Sequence, residues 1–263
     1  MVNISTFKQV RGITKPRRLL RYLLIWCAKG KATLVLDDKE LTLRQREVVT
    51  VTSGQIHYFK DITTAEGVIL DFSLDFFSKD DADLELVFHN GLFCHFDLNE
   101  VITVKEYTII ENELKEIARE LRARPYQYLH SVHARIQLIL IHINRAKVQR
   151  GDEIYKPDAL FLKFLELVRG NFELNYPLSH FARLLSTTPA KINEQAKLHT
   201  GRTAQMVIHG LVVAEAKRLM MYENLSVKEV AYRLGFKDPF YFSNFFKKHT
   251  GYSPTAFHDK HAI

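Results

Sequence analysis

The chain of 263 residues has 46% apolar residues, enough for two ordinary cores, which excludes a disordered or fibrous polypeptide. Its net charge of +7 is uneven: residues 157 to 263 hold 14 Lys/Arg against 9 Asp/Glu, and residues 1 to 156 hold 23 against 21. Two cysteines in apolar surroundings, Cys27 and Cys94, exclude a disulfide framework, and no apolar run reaches the ~18 residues of a membrane span. The first residues lack the apolar core of a secretion signal, so a reduced, cytoplasmic protein is expected.

From Arg21 to about Leu74 the pattern is β-rich: Tyr22–Trp26, Ala32–Leu36, Glu40–Leu43, Val48–Val51, His57–Phe59 and Gly67–Phe72. Between these runs lie Lys29-Gly30, Asp37-Asp38 and Ser53-Gly54, turn formers expected to make successive hairpins that close into a small barrel or sandwich. This order of strands resembles a cupin-type sensory domain. Trp26, His57 and Tyr58 are the candidate effector contacts. Trp26, Leu34, Val49 and Phe72 are expected inside the barrel, and a filled interior leaves open a ligand-blind scaffold. A metal-binding cupin would offer two His one residue apart, a Glu a few residues on and a later His. Here only His57 stands in the relevant hairpin, followed by Tyr58, Phe59 and Lys60. His130, His133 and His142 fall on predicted helices without converging, and the His130/His133 pair reads as exposed or at an interface. No triad, P-loop or dinucleotide signature is present. No metal, cofactor or catalytic residue is therefore expected, and a cupin enzyme with a regulatory helix-turn-helix is the remote alternative.

The acidic, aromatic stretch Lys79 to Asn99 reads as a helix and loop. Two longer helices follow, Thr103 to Arg122 and Tyr126 to Val148, with Pro125 between them. They either cover one barrel face or form a pair that meets its copy in a homodimer through residues 103–148. Dimerisation is favoured because Ile139, Leu140, Ile141 and Ile143 cover much of the second helix's circumference. Residues 151–158, bounded by Gly151 and Pro157, are the expected linker between domains 1–150 and 159–263.

The second domain reads as all-α, opening with a helix at Ala159–Val168. In Leu178–Gly201, Leu178, Phe181, Ala182 and Leu185 form one stripe; Thr188-Pro189 opens another helix; Ile192 and Ala196 face inward; and Gly201 ends it. Ala204 to Tyr222 is one connecting helix. In Val227–Pro254 the logic returns: Val227, Val230, Ala231 and Leu234 form a stripe, Gly235 is free to take positive φ, and Asp238 caps a helix that buries Phe242, Phe245 and Phe246. Tyr241, Asn244, Lys247 and Lys248 are left for other faces, groups suited to base edges and phosphates.

On Ala216–Met220, Val230–Phe236, the Tyr241-Phe242 pair and Phe246–Pro254, residues 159–263 resemble the paired helix-turn-helix domain of the AraC/XylS family of bacterial transcription regulators. Val212 stands where the family has Arg, and Ala196 where it has Phe. The resemblance implies base reading by Ala190, Asn193 and Glu194 on one recognition helix and by Pro239, Tyr241 and Asn244 on the other, in successive major grooves roughly 34 Å apart. Lys191, Lys197, Lys247 and Lys248 are the expected phosphate contacts. The implied partners are double-stranded DNA, a second copy, a small-molecule effector of the N-terminal domain and RNA polymerase. The implied function is transcription regulation, with activation as the expected outcome, in the bacterial cytoplasm at the nucleoid.

Overall fold

The computed structural model describes residues 2–37, 39–80, 83, 86, 92–93, 99–151, 159–171, 175–223 and 225–261. It divides into two units, residues 1–156 and 157–263. Cys94, most of the stretch from Lys79 to Asn99 and most of the polar linker at 151–158 lie outside the described residues.

The first unit is mainly β. Its described strands are β1 (Val2–Thr6), β2 (Arg17–Arg18), β3 (Tyr22–Lys29), β4 (Lys31–Leu36), β5 (Lys39–Arg44), β6 (Glu47–Val51), β7 (Ile56–Asp61), β8 (Glu66–Phe72) and β9 (Ile102–Thr103). They form one sheet in the order β1-β8-β3-β6-β9 and a second in the order β2-β7-β4-β5. Leu23, Ile25 and Cys27 of β3, Leu34 of β4, Leu43 of β5, Val49 of β6, Phe59 of β7 and Ile69 of β8 share one core between the sheets. Strand alternation turns Tyr22, Leu24 and Trp26 the other way, and all three are buried as well. On that side Tyr22 meets Phe72 and Phe93 with ring centroids 6.0 and 5.3 Å away. A strand buried on both faces reads as a continuous apolar run, as Tyr22–Cys27 does.

This pairing corrects the expected succession of hairpins. Among the described strands only β4 and β5 pair across their turn, where Asp37 takes φ 51°. At Gly30 and Gly54 the chain instead passes from one sheet to the other, because β3 and β6 belong to the first sheet and β4 and β7 to the second. Gly30 takes φ +73°, and a Cβ there would stand 1.9 Å from the Thr64 carbonyl oxygen, so the crossing needs a residue without a side chain. Strand β1 precedes the stretch in which strands were expected; it is a half-buried edge, registered from Val2↔Phe72 to Thr6↔Val68.

Beyond the short helix α1 (Leu74–Phe77), α2 (Tyr107–Ala123) and α3 (Tyr128–Arg150) are joined across Pro125 by Arg124 and Gln127, both at positive φ. The Arg135 guanidinium donates to Glu113 at 2.6 Å, and Ser131 Oγ donates to Glu120 at 3.0 Å. His133, read as exposed or at an interface, is buried within the chain: its Nε2 lies 2.8 Å from the Phe77 carbonyl oxygen and 3.1 Å from Asp83. Of the run offered for dimerisation, Ile139, Leu140 and Ile143 are fully buried against the unit's own core.

The second unit is helical: α4 (Ala159–Arg169), α5 (Leu178–Leu184), α6 (Pro189–Thr200), α7 (Ala204–Tyr222), α8 (Val227–Arg233), α9 (Pro239–Thr250) and α10 (Pro254–His261). Helix α7 buries ten described residues from Ala204 to Met220 and contacts helices of both helix-turn-helix copies. No described helix is long and apolar enough to cross a membrane.

Candidate nucleic-acid interface

Two copies of one frame present α6 and α9. In the first, the Thr188 hydroxyl accepts from the Lys191 N–H at 3.2 Å and Pro189 occupies the first helical position. In the second, Asp238 accepts from the Phe240 N–H at 2.8 Å and Pro239 takes the same place. Both helices run twelve residues and end at a glycine in the left-handed region, Gly201 and Gly251. In each the last threonine donates back, Thr200 to the Ala196 carbonyl at 2.7 Å and Thr250 to the Phe246 carbonyl at 2.8 Å. The following helix is again capped alike, by Thr203 and by Ser253.

The cores beneath differ. Phe246 is fully buried under α9, whereas Ala196 holds the equivalent place under α6, so the first copy lacks a ring worth roughly 2–3 kcal/mol of burial. The turns differ too: Gly235 takes φ 74°, and its counterpart Ser186 takes φ 51° with a Cβ present. Val212 is buried in α7. Helix α7 supports α9 through His209, whose ring stands 5.1 Å from Phe245 and 4.8 Å from His249. Burial, then the neighbouring His249 and Lys248 charges, hold the His209 pKa below its ordinary value. Phe245 is only half-buried, a correction to the expected burial.

On α9 Phe240, Tyr241, Asn244, Lys247 and Lys248 are exposed and follow one another at helical spacing along one surface, with His249 exposed beside them. Phe240 is 73% exposed and Tyr241 66%, large apolar rings left in water at the helix start, where a recognition helix meets base edges. Pro239 is half-buried and serves as the first residue of the helix. The shared frame places Phe240, Ser243 and Asn244 at the positions of Ala190, Asn193 and Glu194, and Tyr241 at that of Lys191. Aligning the two copies on their Thr/Asp-Pro and Gly ends is the sequence signal that sets Phe240 opposite Ala190.

The face of α6 is partly engaged within the protein. Ala190, Lys191, Glu194 and Lys197 are exposed, yet Lys191 pairs with Glu194 at 3.2 Å, so an expected phosphate contact and an expected base reader hold each other. Asn193 is half-buried, and its Oδ1 accepts from the Ala204 N–H at 3.0 Å, helping to cap α7.

The three candidate effector residues are not brought together. His57 shares the inward parity of Phe59, Tyr58 faces the opposite side of that sheet, and Trp26 sits on the other sheet, turned from the inter-sheet core. Phe72 likewise lies outside that core, with Tyr22. His57 Nε2 stands 3.4 Å from Arg17 Nη2. Burial, then the Arg17 charge, pushes its imidazole down to about 4. Cys27 is buried, and burial, then Glu47, raises its thiol to about 11. Among the described residues, no three His, Cys, Asp or Glu are grouped to hold a metal ion.

Residues 181–260 match the family of the Helix-turn-helix domain. Among curated relatives, the HTH-type transcriptional activator RhaS of Enterobacter sp. (strain 638) is 28% identical over 116 residues, covering 44% of this chain and 41% of the relative. RhaS of Salmonella paratyphi B matches to the same extent. The chain thus spans less than half the length of these relatives. Among solved structures, ToxT from Vibrio cholerae O395 aligns with 99% of this chain and 97% of its own at 12% identity and TM-score 0.45. The C-terminal domain of AraT, a response regulator from Geobacillus stearothermophilus, aligns with 41% of this chain and 89% of its own at 22% identity and TM-score 0.39.

Proposed function

We propose that this chain, whose C-terminal unit matches the Helix-turn-helix domain family over residues 181–260, is a sequence-specific DNA-binding transcription regulator of the AraC/XylS type, controlled by a small-molecule effector of its cupin-like N-terminal unit. The observation that carries the reading is the exposed α9 face, with two rings, a carboxamide and two lysines on a helix held by a duplicated frame. Helix α7, with 19 residues, is about 28 Å long at 1.5 Å per residue, which suits recognition helices entering successive grooves. Asn244 pairs with adenine, Phe240 and Tyr241 contact thymine methyl groups, and Lys247 and Lys248 take phosphates. Activation follows the relatives' printed name, transcriptional activator, and contact with RNA polymerase is proposed alongside it; a promoter-reporter assay in cells with and without the protein tests activation.

Selection of bound duplexes from random DNA by the full-length protein tests the reading; an unenriched pool would sink it. On the selected site, Asn244→Ala should weaken binding roughly tenfold, ~1.4 kcal/mol, and relax preference at one or two adjacent base pairs, with little change on random DNA. Phe240→Ala should relax preference at a neighbouring thymine. Equal weakening on specific and random DNA would assign either side chain to the backbone instead.

Assembly as a homodimer is proposed through α3. With Ile139, Leu140 and Ile143 consumed internally, the outward stripe is Ala134, Leu138, Ile141, Arg145 and Val148, at the 4-3-4-3 spacing of a two-helix seam. Leu138→Glu with Ile141→Glu should convert a dimer to a monomer in analytical ultracentrifugation. A wild-type chain that sediments as a monomer at tens of micromolar defeats the proposal.

A further inference from the structure

Charge in the first unit is segregated along the chain: residues 1–36 hold 8 Lys/Arg and no Asp/Glu, whereas residues 37–156 hold 15 against 21. Most of the early cations fall in the strap that leads from β1 through β2 to β3. This strap is pegged to the sandwich. Phe7 and Ile13 are buried in the inter-sheet core, the Ile13 carbonyl accepts from the Phe59 N–H at 2.9 Å, and Arg17 and Arg18 pair with His57 and Ile56 of β7. Between the pegs the chain turns at Gly12, at φ +64°, whose carbonyl accepts from the Lys15 N–H at 2.9 Å. Lys8, Arg11 and Lys15 are left exposed, with no acid in the strap, and no ion pair engages them among the described residues. In the cleft that Arg11 borders, Arg17, Arg21 and Arg124 outnumber Asp71 and Asp75, and Arg21 holds Asp71.

We propose that the strap is a second DNA contact, in which Lys8, Arg11 and Lys15 take backbone phosphates flanking the bases read by the helical unit. Like charges on one pegged segment repel one another until a polyanion relieves them, and a backbone already fixed loses little entropy on meeting it. A weak contact of this kind adds to a stronger one on the same chain through effective concentration. A lipid bilayer fits less well: Leu20 is the strap's one exposed large apolar side chain, too little surface to insert. The contact carries no sequence information; it raises affinity for any duplex that extends past the site. It rests on the DNA-binding part of the proposed function and adds a surface of the first unit to it.

The test compares the full-length protein with its Lys8→Gln, Arg11→Gln, Lys15→Gln triple variant by fluorescence anisotropy over a range of salt concentrations. The duplex is the selected site extended on each side by about ten base pairs of scrambled sequence, one helical turn. The triple variant should flatten the slope of log affinity against log salt by at least about 0.9, one phosphate contact, and bind roughly fivefold or more weakly at 0.15 M salt, with base preference unchanged. Exchanging the three for one another's type, Lys8→Arg, Arg11→Lys and Lys15→Arg, should bind as the wild type does, because a phosphate reads charge. Trp26 emission in urea reports whether the first unit stays folded, and Lys8→Gln with Lys15→Gln carries the comparison if the triple variant does not fold. Equal slopes in wild type and variant, or a variant that loses base preference, overturns the contact. Vesicles of phosphatidylglycerol bound by the wild type and released by the variant, with equal slopes on DNA, would assign the strap to a lipid surface and overturn it too. Specific binding that the variant leaves untouched defeats the strap and leaves the regulator standing, while a wild type that binds no duplex defeats both.

Discussion

Exchanging Lys247 and Lys248 together for Gln is expected to lower affinity for every duplex, specific or random, by about 30-fold at 0.15 M salt. Both side chains are exposed in the last turn of α9. Each phosphate contact contributes about 0.9 to the slope of log affinity against log salt. Losing two flattens the slope by about 1.8, and extrapolation from 1 M to 0.15 M turns that into about 1.5 decades of affinity. Fluorescence anisotropy titrations at four salt concentrations on the selected and a scrambled duplex measure both quantities. An unchanged slope would remove the pair from the interface, and a loss confined to the selected duplex would make them base readers.

The first unit should lose about 2 kcal/mol of stability between pH 7 and pH 4.5 through His57 alone. Its pKa falls from 6.5 to about 4 because burial and Arg17 oppose the charged form. The unfolded chain therefore binds the proton first, and stability is present above about pH 6.5 and lost as the pH falls toward 4. One pH unit across that window is worth about 1.4 kcal/mol. The chain has a single tryptophan, and Trp26 is 1% exposed in the first unit, so its emission follows that unit in urea titrations. Carboxylates add their own pH dependence, which comparison with His57→Gln subtracts. The variant should show a shallower acid slope by about the stated amount, and parallel slopes would mean that His57 is not held neutral.

The helical unit was largely legible because its boundaries are written in local chemistry. Thr188-Pro189 and Asp238-Pro239 each combine a cap with a preset φ, and α7 spans Ala204–Tyr222 as its pattern predicts. Strand pairing is not local. The runs at β3 and β4 are apolar whether they pair with each other or lie in opposite sheets, and only the two-sided burial of Tyr22–Cys27 decides it. The side to which Trp26 turns hangs on that same choice. At the interface, what escaped reading were contacts between segments: the Asn193 bond to Ala204 depends on how α6 meets α7. Phe240 was hidden by its apolar character, which suggests a core until the structure leaves it in water.

On the proposed reading, the unequal cores beneath α6 and α9 predict an order of events on DNA. With Ala196 in place of a ring, Ser186 in a strained turn and Asn193 bonded within the protein, the first motif is the softer of the two. If the chain binds DNA as proposed, the second motif is expected to land first and leave last. The first then works as a checkpoint. If Asn193 reads a base it must first give up the Ala204 contact, so on a site matched only in the second half, dissociation measured by stopped flow is expected to show two phases, and a single phase would defeat this order.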